Sequence, residues 1–373
     1  MKKVALYIHI PFCKQKCLYC DFPSLAGKED CMVDYAAALA KEIYSIKNKK
    51  IKTIFIGGGT PTYLSLAGWK IIKKSIDTLN ICDDLEFTVE GNPGTFTKEI
   101  LNFLKEMGVN RLSIGLQAWQ DSLLKELGRI HTIEDFKQSF EMARELGFDN
   151  INVDLMFGLP SQTINQWTET LDNITKLNPE HLSCYSLIVE EGTEFYKRFE
   201  KGTLNLPDEE IDRTMYAKTI EVLRKKGYIQ YEISNFSKRN KKCRHNLVYW
   251  ELDEYIGCGA ASHSYSDGFR YRNEENIEKY IEKMNNDNTA IVEKMKNSFK
   301  DNMEEFMFMG LRKTKGVNKS EFKKRFDKNM DDVYYDVINK YTSTGFMIES
   351  PDNIFLTYEG IEVSNVIMAE FLL

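Results

Sequence analysis

The chain has 373 residues, with 50 basic against 56 acidic side chains and a formal charge of −6. Such a length exceeds what one hydrophobic core serves, so a large domain with at least one smaller one is expected. The negative balance argues against nucleic acid as the main partner, and no run approaches the ~20 apolar residues of a membrane span, which predicts a soluble, cytoplasmic protein.

The opening MKKVALYIHIPFC has a basic start but only a short apolar run and no small-residue cleavage site, so it reads as a strand rather than a leader. Six β-type runs then recur: VALYIHI (4–10), KTIFIGG (52–58), LEFTVEG (85–91), RLSIGLQ (111–117), INVDLMFG (151–158) and HLSCYSLIV (181–189). Between them, stretches such as VDYAAALAKEIYSI and LAGWKIIKKSIDTL are apolar at helical spacing. Alternating β and α units predict a parallel sheet with helical crossovers. Six units fit either a partial (β/α)6 TIM-like barrel or an open doubly wound sheet, and periodicity does not choose. Both place chemistry at the carboxyl ends of the strands. Those ends carry Cys13, Cys17 and Cys20, then GGGTPT (57–62), Glu90, Gln117 and Asp154.

Beyond residue 190 the alternation stops. A helical DEEIDRTMYAKTIEVLRKKG leads to YIQYEISNFS, then to a span holding CRHNLVYW (243–250) and GCGAASH (257–263). Helical patterns near 299–313, 318–327 and 330–343 precede two short β runs and a last helix, which suggests a winged-helix-like module used for packing or a partner. The expected division is a core over 1–235, a connecting region over 236–295 and a mostly helical domain over 296–373.

Of eight cysteines only the first three cluster, and in a long intracellular chain such a group favours metal or catalytic use over a disulfide framework. A structural zinc site needs four ligands, the fourth here being His9, Cys31 or something remote. The spacing C-x3-C-x2-C instead suits a 4Fe-4S cluster held by three thiolates, with one iron left open. Gly57, Gly58 and Gly59 permit close backbone approach to a ligand, or simply a tight turn. Glu90 and Asp154 can accept from hydroxyls or an ammonium, and Arg129 can pair a carboxylate.

YIHIPFC, CLYCDF, GGGTPT, EGNPGT, RLSIGLQ, LGRIH and DLMFGLP together resemble, in order and spacing, the oxygen-independent coproporphyrinogen III oxidase group of the radical S-adenosylmethionine (SAM) superfamily. The resemblance runs over essentially the whole chain. It implies a radical SAM barrel in which Cys13, Cys17 and Cys20 hold the cluster. Tyr7, Tyr19, Gly58, Gly59, Thr60, Glu90, Gln117, Arg129, Asp154 and Ile188 would then contact SAM, which the cluster reduces by one electron to give a 5′-deoxyadenosyl radical.

Two features depart from the oxidases: Phe22 stands where they carry a further cysteine, and the first strand begins by residue 4 without a longer arm. A third resembles the HemW haem-chaperone branch, whose HNxxYW signature matches HNLVYW at 245–250. By that resemblance His245 binds haem iron, with Tyr249 and Trp250 against the macrocycle; His263 and Cys243 are weaker candidates. The implied partners are haem, haem-acceptor proteins including membrane-bound respiratory components, an electron donor and a second copy of the chain, with a place at the inner face of the membrane. The alternatives are the coproporphyrinogen decarboxylase itself and, more distantly, a porphyrin-opening radical methyltransferase.

Overall fold

The computed structural model describes residues 2–373. Six strands run parallel, side by side in chain order: β1 (Lys3–Ile10), β2 (Lys50–Gly58), β3 (Asn80–Gly91), β4 (Arg111–Gln117), β5 (Ile151–Phe157) and β6 (His181–Ser186). Helices Met32–Ser45, Leu66–Ile76, Lys98–Glu106, Ile133–Glu145 and Ile164–Lys176 fill the crossovers. The last two open on reciprocal capping boxes, Thr132 with Asp135 and Thr163 with Gln166, which satisfy backbone N–H groups the helix leaves unpaired.

Alternate strand residues decide between barrel and open sheet. Leu6, Ile8, Ile54, Val89, Ile114 and Val153 join one apolar core with helix residues such as Leu39, Trp69, Leu101, Phe136 and Trp167. Their strand neighbours Tyr7, Thr53, Glu90, Ser113 and Asp154 point the other way, because side chains alternate across a strand. An open doubly wound sheet would carry helices on both faces. Here the second face curls around its own polar side chains, giving a partial (β/α)6 barrel.

The sheet continues past both sides of the six. Asn235–Ser237 and Ile229–Gln230 add antiparallel beside β6. On the other side Tyr255–Cys258 pairs in parallel with β1, followed by antiparallel His263–Ser266, Phe269–Asn273 and Ile291–Lys296. Much of the 236–295 span thus extends the barrel's own sheet. Helices Phe299–Gly310, Lys319–Phe326 and Met330–Ser343 then combine with a three-stranded sheet in a winged-helix-like order. They enclose a second core of Met307, Phe322, Tyr334, Ile354 and Phe371, which Leu252 joins from the foot of the barrel. Among the described residues no helix is long and apolar enough to cross a membrane.

Candidate functional site

Past β1, Phe12–Cys13 pairs in parallel with Leu25–Ala26, which closes the cysteine loop on itself. The Leu18 N–H donates to the Leu127 carbonyl at 3.1 Å and so ties the loop to the helix end before Arg129. Cys13, Cys17 and Cys20 all face a cavity of about 450 Å³ at the carboxyl ends of the strands. Tyr19, Gly58, Gly59, Glu90, Gln117, Arg129, Asp154 and Ile188 line the same cavity, so most of the expected SAM contacts converge there. Thr60 borders a smaller recess beside it, shared with Cys17, Asn92 and Arg129. Burial pushes the Cys13 and Cys20 thiols up, and a metal centre that takes them must displace their protons. Among the described residues no three His, Cys, Asp or Glu groups converge as one ion requires; a cluster takes each thiolate at its own iron.

The glycines have local reasons. Gly58 has φ of 112°, and a Cβ there would lie 2.5 Å from the His9 ring. A Cβ at Gly59 would lie 2.8 Å from the Phe12 carbonyl and 3.0 Å from the Cys13 sulfur. The cysteine loop and the strand-end turn therefore touch only because side chains are missing between them.

Donors reach two of the sulfurs. The Thr60 hydroxyl donates to Cys13 Sγ at 3.4 Å, and Arg129 Nη1 donates to Cys17 Sγ at 3.3 Å. Arg129 Nη2 also donates to Asn92 Oδ1 at 2.7 Å and to the Gly115 carbonyl. Its Nε is buried without a partner. That leaves an unspent donor on a guanidinium at the cavity wall, where a carboxylate would satisfy it. The thiols, this donor and the glycine cradle fit a cluster with SAM.

Two carboxylates complete the wall. Glu90 accepts from the Gly58 N–H at 3.2 Å; burial, with Asp154 nearby, pushes its carboxyl up to about 8. A sulfonium or ammonium placed beside it would draw that proton away. Asp154 accepts from the Ser113 hydroxyl at 2.9 Å and from Asn152 Nδ2 at 2.8 Å.

Tyr7 lies inside the barrel beside Glu90, and burial holds its hydroxyl well above the usual range. It donates to His9 Nδ1 at 3.0 Å, because His9 Nε2 faces the Pro23 carbonyl at 2.8 Å and must carry the ring proton. Gln117 ends β4 in the left-handed region with φ of 72°, where the register shifts against β5. This strained turn aims a polar side chain at the cavity. Ile188, 67% exposed, stands at the mouth with Tyr185 and Phe22, the latter 62% exposed.

His245 lies elsewhere. Helix Arg244–Trp250 carries it to the amino-terminal end of β2, where it is 1% exposed. Its Nδ1 is 2.9 Å from the Thr53 hydroxyl and its Nε2 2.9 Å from the Tyr249 hydroxyl, with the ring stacked on Phe55. Burial, with Arg111 and Lys52 adding to it, pushes the imidazole down to about 3. Both nitrogens are occupied, so in this arrangement the ring is not presented to a haem iron. Cys243 is buried, with its thiol 3.7 Å from Glu86. His263 is exposed on the sheet extension.

A buried chain of donors joins that helix to the cavity. The Cys243 N–H donates to the Tyr231 hydroxyl at 3.3 Å, and that hydroxyl donates to His181 Nε2 at 2.7 Å. His181 Nδ1 donates to Asn152 Oδ1 at 2.6 Å, and Asn152 Nδ2 donates to Asp154. Each link follows from the next, because Asn152 offers His181 only its carbonyl oxygen and so fixes the tautomer. Sequence reasoning missed Asn152 and His181, whose only signal is polarity at inward positions of strands, and Tyr231, which follows the strand Ile229–Gln230 and carries no such signal. It also missed Asn92, whose signal is its place two residues after Glu90 at a strand end.

A barrel with a three-thiol loop at its strand ends defines the radical SAM class, and the Radical SAM superfamily model matches residues 7–174. The HemN C-terminal domain model matches residues 298–363. The chain is 40% identical over 375 residues to "Heme chaperone HemW" of Bacillus subtilis (strain 168), covering 98% of each. It is 35% identical to "Heme chaperone HemW" of Lactococcus lactis subsp. lactis (strain IL1403), covering 100% of this chain and 98% of the relative. The chain belongs to the HemW family. Among solved structures, coproporphyrinogen III oxidase (HemN) from Escherichia coli superposes with a TM-score of 0.87 at 22% identity over 99% of this chain and 90% of that one, a likeness of fold.

Proposed function

We propose that the protein is a haem chaperone that binds haem and delivers it to acceptor haemoproteins, and that it carries a SAM-coordinated 4Fe-4S cluster. Full-length similarity to relatives bearing that name carries the reading. Cys13, Cys17 and Cys20 are the cluster ligands in this proposal. Tyr7, Tyr19, Gly58, Gly59, Thr60, Glu90, Gln117, Arg129, Asp154 and Ile188 form the SAM site. When bound, the cluster supplies one-electron reduction to SAM. The chain's own part is to orient and to exclude water: Arg129 and the carboxylates set charge around the ligand, and the barrel wall keeps it dry.

The apolar mouth made by Phe22, Tyr185 and Ile188 suits a flat macrocycle better than His245 does in its closed setting. Ligation by His245 requires its Nε2 to leave Tyr249, so the HNLVYW helix acts in this reading as a brace. Acceptor haemoproteins, including membrane-bound respiratory ones, an electron donor and a second copy of the chain complete the proposed partners, at the cytoplasmic face of the membrane.

Anaerobic reconstitution, haem titration and a parallel assay for protoporphyrinogen test the reading on one preparation. Stoichiometric haem with no protoporphyrinogen is expected. Turnover of coproporphyrinogen without haem binding would replace the carrier with the oxidase.

A further inference from the structure

Asn92 lies in neither the thiolate set nor the expected SAM contacts, yet both sulfur-directed donors depend on it. Its Nδ2 donates to Thr60 Oγ1 at 2.8 Å, and its Oδ1 accepts from Arg129 Nη2 at 2.7 Å. The amide can stand only this way round. Arg129 offers no acceptor, and the Thr60 hydrogen is already directed at the Cys13 sulfur. One amide therefore links the groups that donate to Cys13 and to Cys17.

The residue is itself held firmly. Its carbonyl accepts from the Thr95 N–H at 3.1 Å and the Thr95 hydroxyl at 2.6 Å, and that hydroxyl meets Thr62 Oγ1 at 2.5 Å. The turn after β3 is thereby joined to the turn after β2. A hydroxyl that accepts from an amide also becomes a stronger donor, so Asn92 strengthens the Thr60 bond as well as aiming it.

Hydrogen bonds to ligand sulfur spread the negative charge of the reduced cluster and raise its reduction potential. We propose that Asn92 is a positioning residue that sets the cluster's potential by holding Thr60 and Arg129 against two of its three thiolates. The proposal rests on the reading that Cys13, Cys17 and Cys20 carry the cluster.

The test is a redox titration, followed by electron paramagnetic resonance, of full-length protein reconstituted without oxygen. Asn92→Ala at full iron and sulfide content should have a lower midpoint potential than the unaltered protein. Thr60→Val, which removes only the hydroxyl, should lower it less. The double variant should fall short of the sum, because both changes act on Cys13 through the same hydroxyl. An unchanged midpoint in a fully loaded Asn92→Ala overturns the proposal. Should that variant fail to assemble a cluster, Thr60→Val decides alone: a fall supports the proposal and no change overturns it. Failure of the unaltered protein to take up iron and sulfide would sink the cluster reading itself, a result distinct from a loaded protein indifferent to Asn92.

Discussion

Glu90 lines the cavity and His245 is buried at the amino-terminal end of β2, and burial moves the two in opposite senses. The Glu90 carboxyl titrates near 4.5 in an unfolded chain and near 8 in the fold. Between those values the folded, SAM-free protein holds a proton that the unfolded chain has released. Its contribution is therefore most favourable below about pH 4.5 and declines towards pH 8, by up to ~1.4 kcal/mol per pH unit. Glu90→Gln should flatten this slope, and urea melts of both proteins across the window would show it; parallel slopes would discard the assignment. His245 is held neutral, so its contribution is complete above its ordinary value of 6.5 and is lost as pH falls towards 3. His245→Ala removes the Thr53 and Tyr249 hydrogen bonds and a packed ring, at a cost of about 2–4 kcal/mol. Haem titration of the folded fraction should still give a Soret band; loss of haem at an unchanged melting temperature would make His245 the ligand instead. The cysteine cluster was legible because three thiols adjacent in sequence are adjacent in any fold. His245 was legible only as a signature, since neither Thr53 nor Phe55 is near it in the chain.

At the scale of elements, strand alternation explains what could be read and what could not. Apolar positions 6, 8, 54, 56, 112 and 114 announce strands, and they bury one face under the crossover helices. The polar positions between them announce only a second environment. Whether that environment is solvent or a closed interior depends on curvature, which no single strand encodes. The chain from Cys243 through Tyr231, His181 and Asn152 to Asp154 belongs to this unreadable part, as it draws on two parallel strands and two later segments. Tyr231→Phe keeps the ring and deletes the hydroxyl in its middle. That leaves the His181 Nε2 acceptor and the Cys243 N–H unpaired in the interior, so unfolding free energy should drop by about 1–3 kcal/mol. Chemical denaturation measures it. A drop below a few tenths would mean that water takes the hydroxyl's place and that the chain is not continuous.

At the scale of the molecule, the attachment of the 236–295 span to the barrel's sheet was the least readable feature. The 236–295 span looks like a connector because its strands are short and pair with partners far away, β1 above all. What fastens the two cores is equally non-local. Arg270, on strand Phe269–Asn273, binds Glu305 of helix Phe299–Gly310 through two bonds of 2.7 and 2.5 Å, and its guanidinium also donates to the Tyr255 hydroxyl at 3.3 Å. Tyr255 stacks edge-on with Tyr249 at 4.7 Å, and Tyr249 holds His245, so one side chain, Tyr255, links the fastening to the brace beneath the barrel. A bidentate, half-buried pair is worth more than an exposed one, and cutting it leaves a guanidinium short of its partner. Glu305→Ala should therefore speed amide exchange in residues 299–371 and in helix Arg244–Trp250 while β1 to β6 keep their protection. Lys300→Ala, which breaks only the 3.7 Å helical pair between the exposed Lys300 and the largely buried Glu304, should leave exchange unchanged in both regions. If Glu305→Ala loosened the winged-helix-like unit but left Arg244–Trp250 protected, the brace would not depend on the Arg270–Glu305 pair, and direct contacts such as Arg312 over the Trp250 ring and Arg325 on the Leu252 carbonyl would hold it instead.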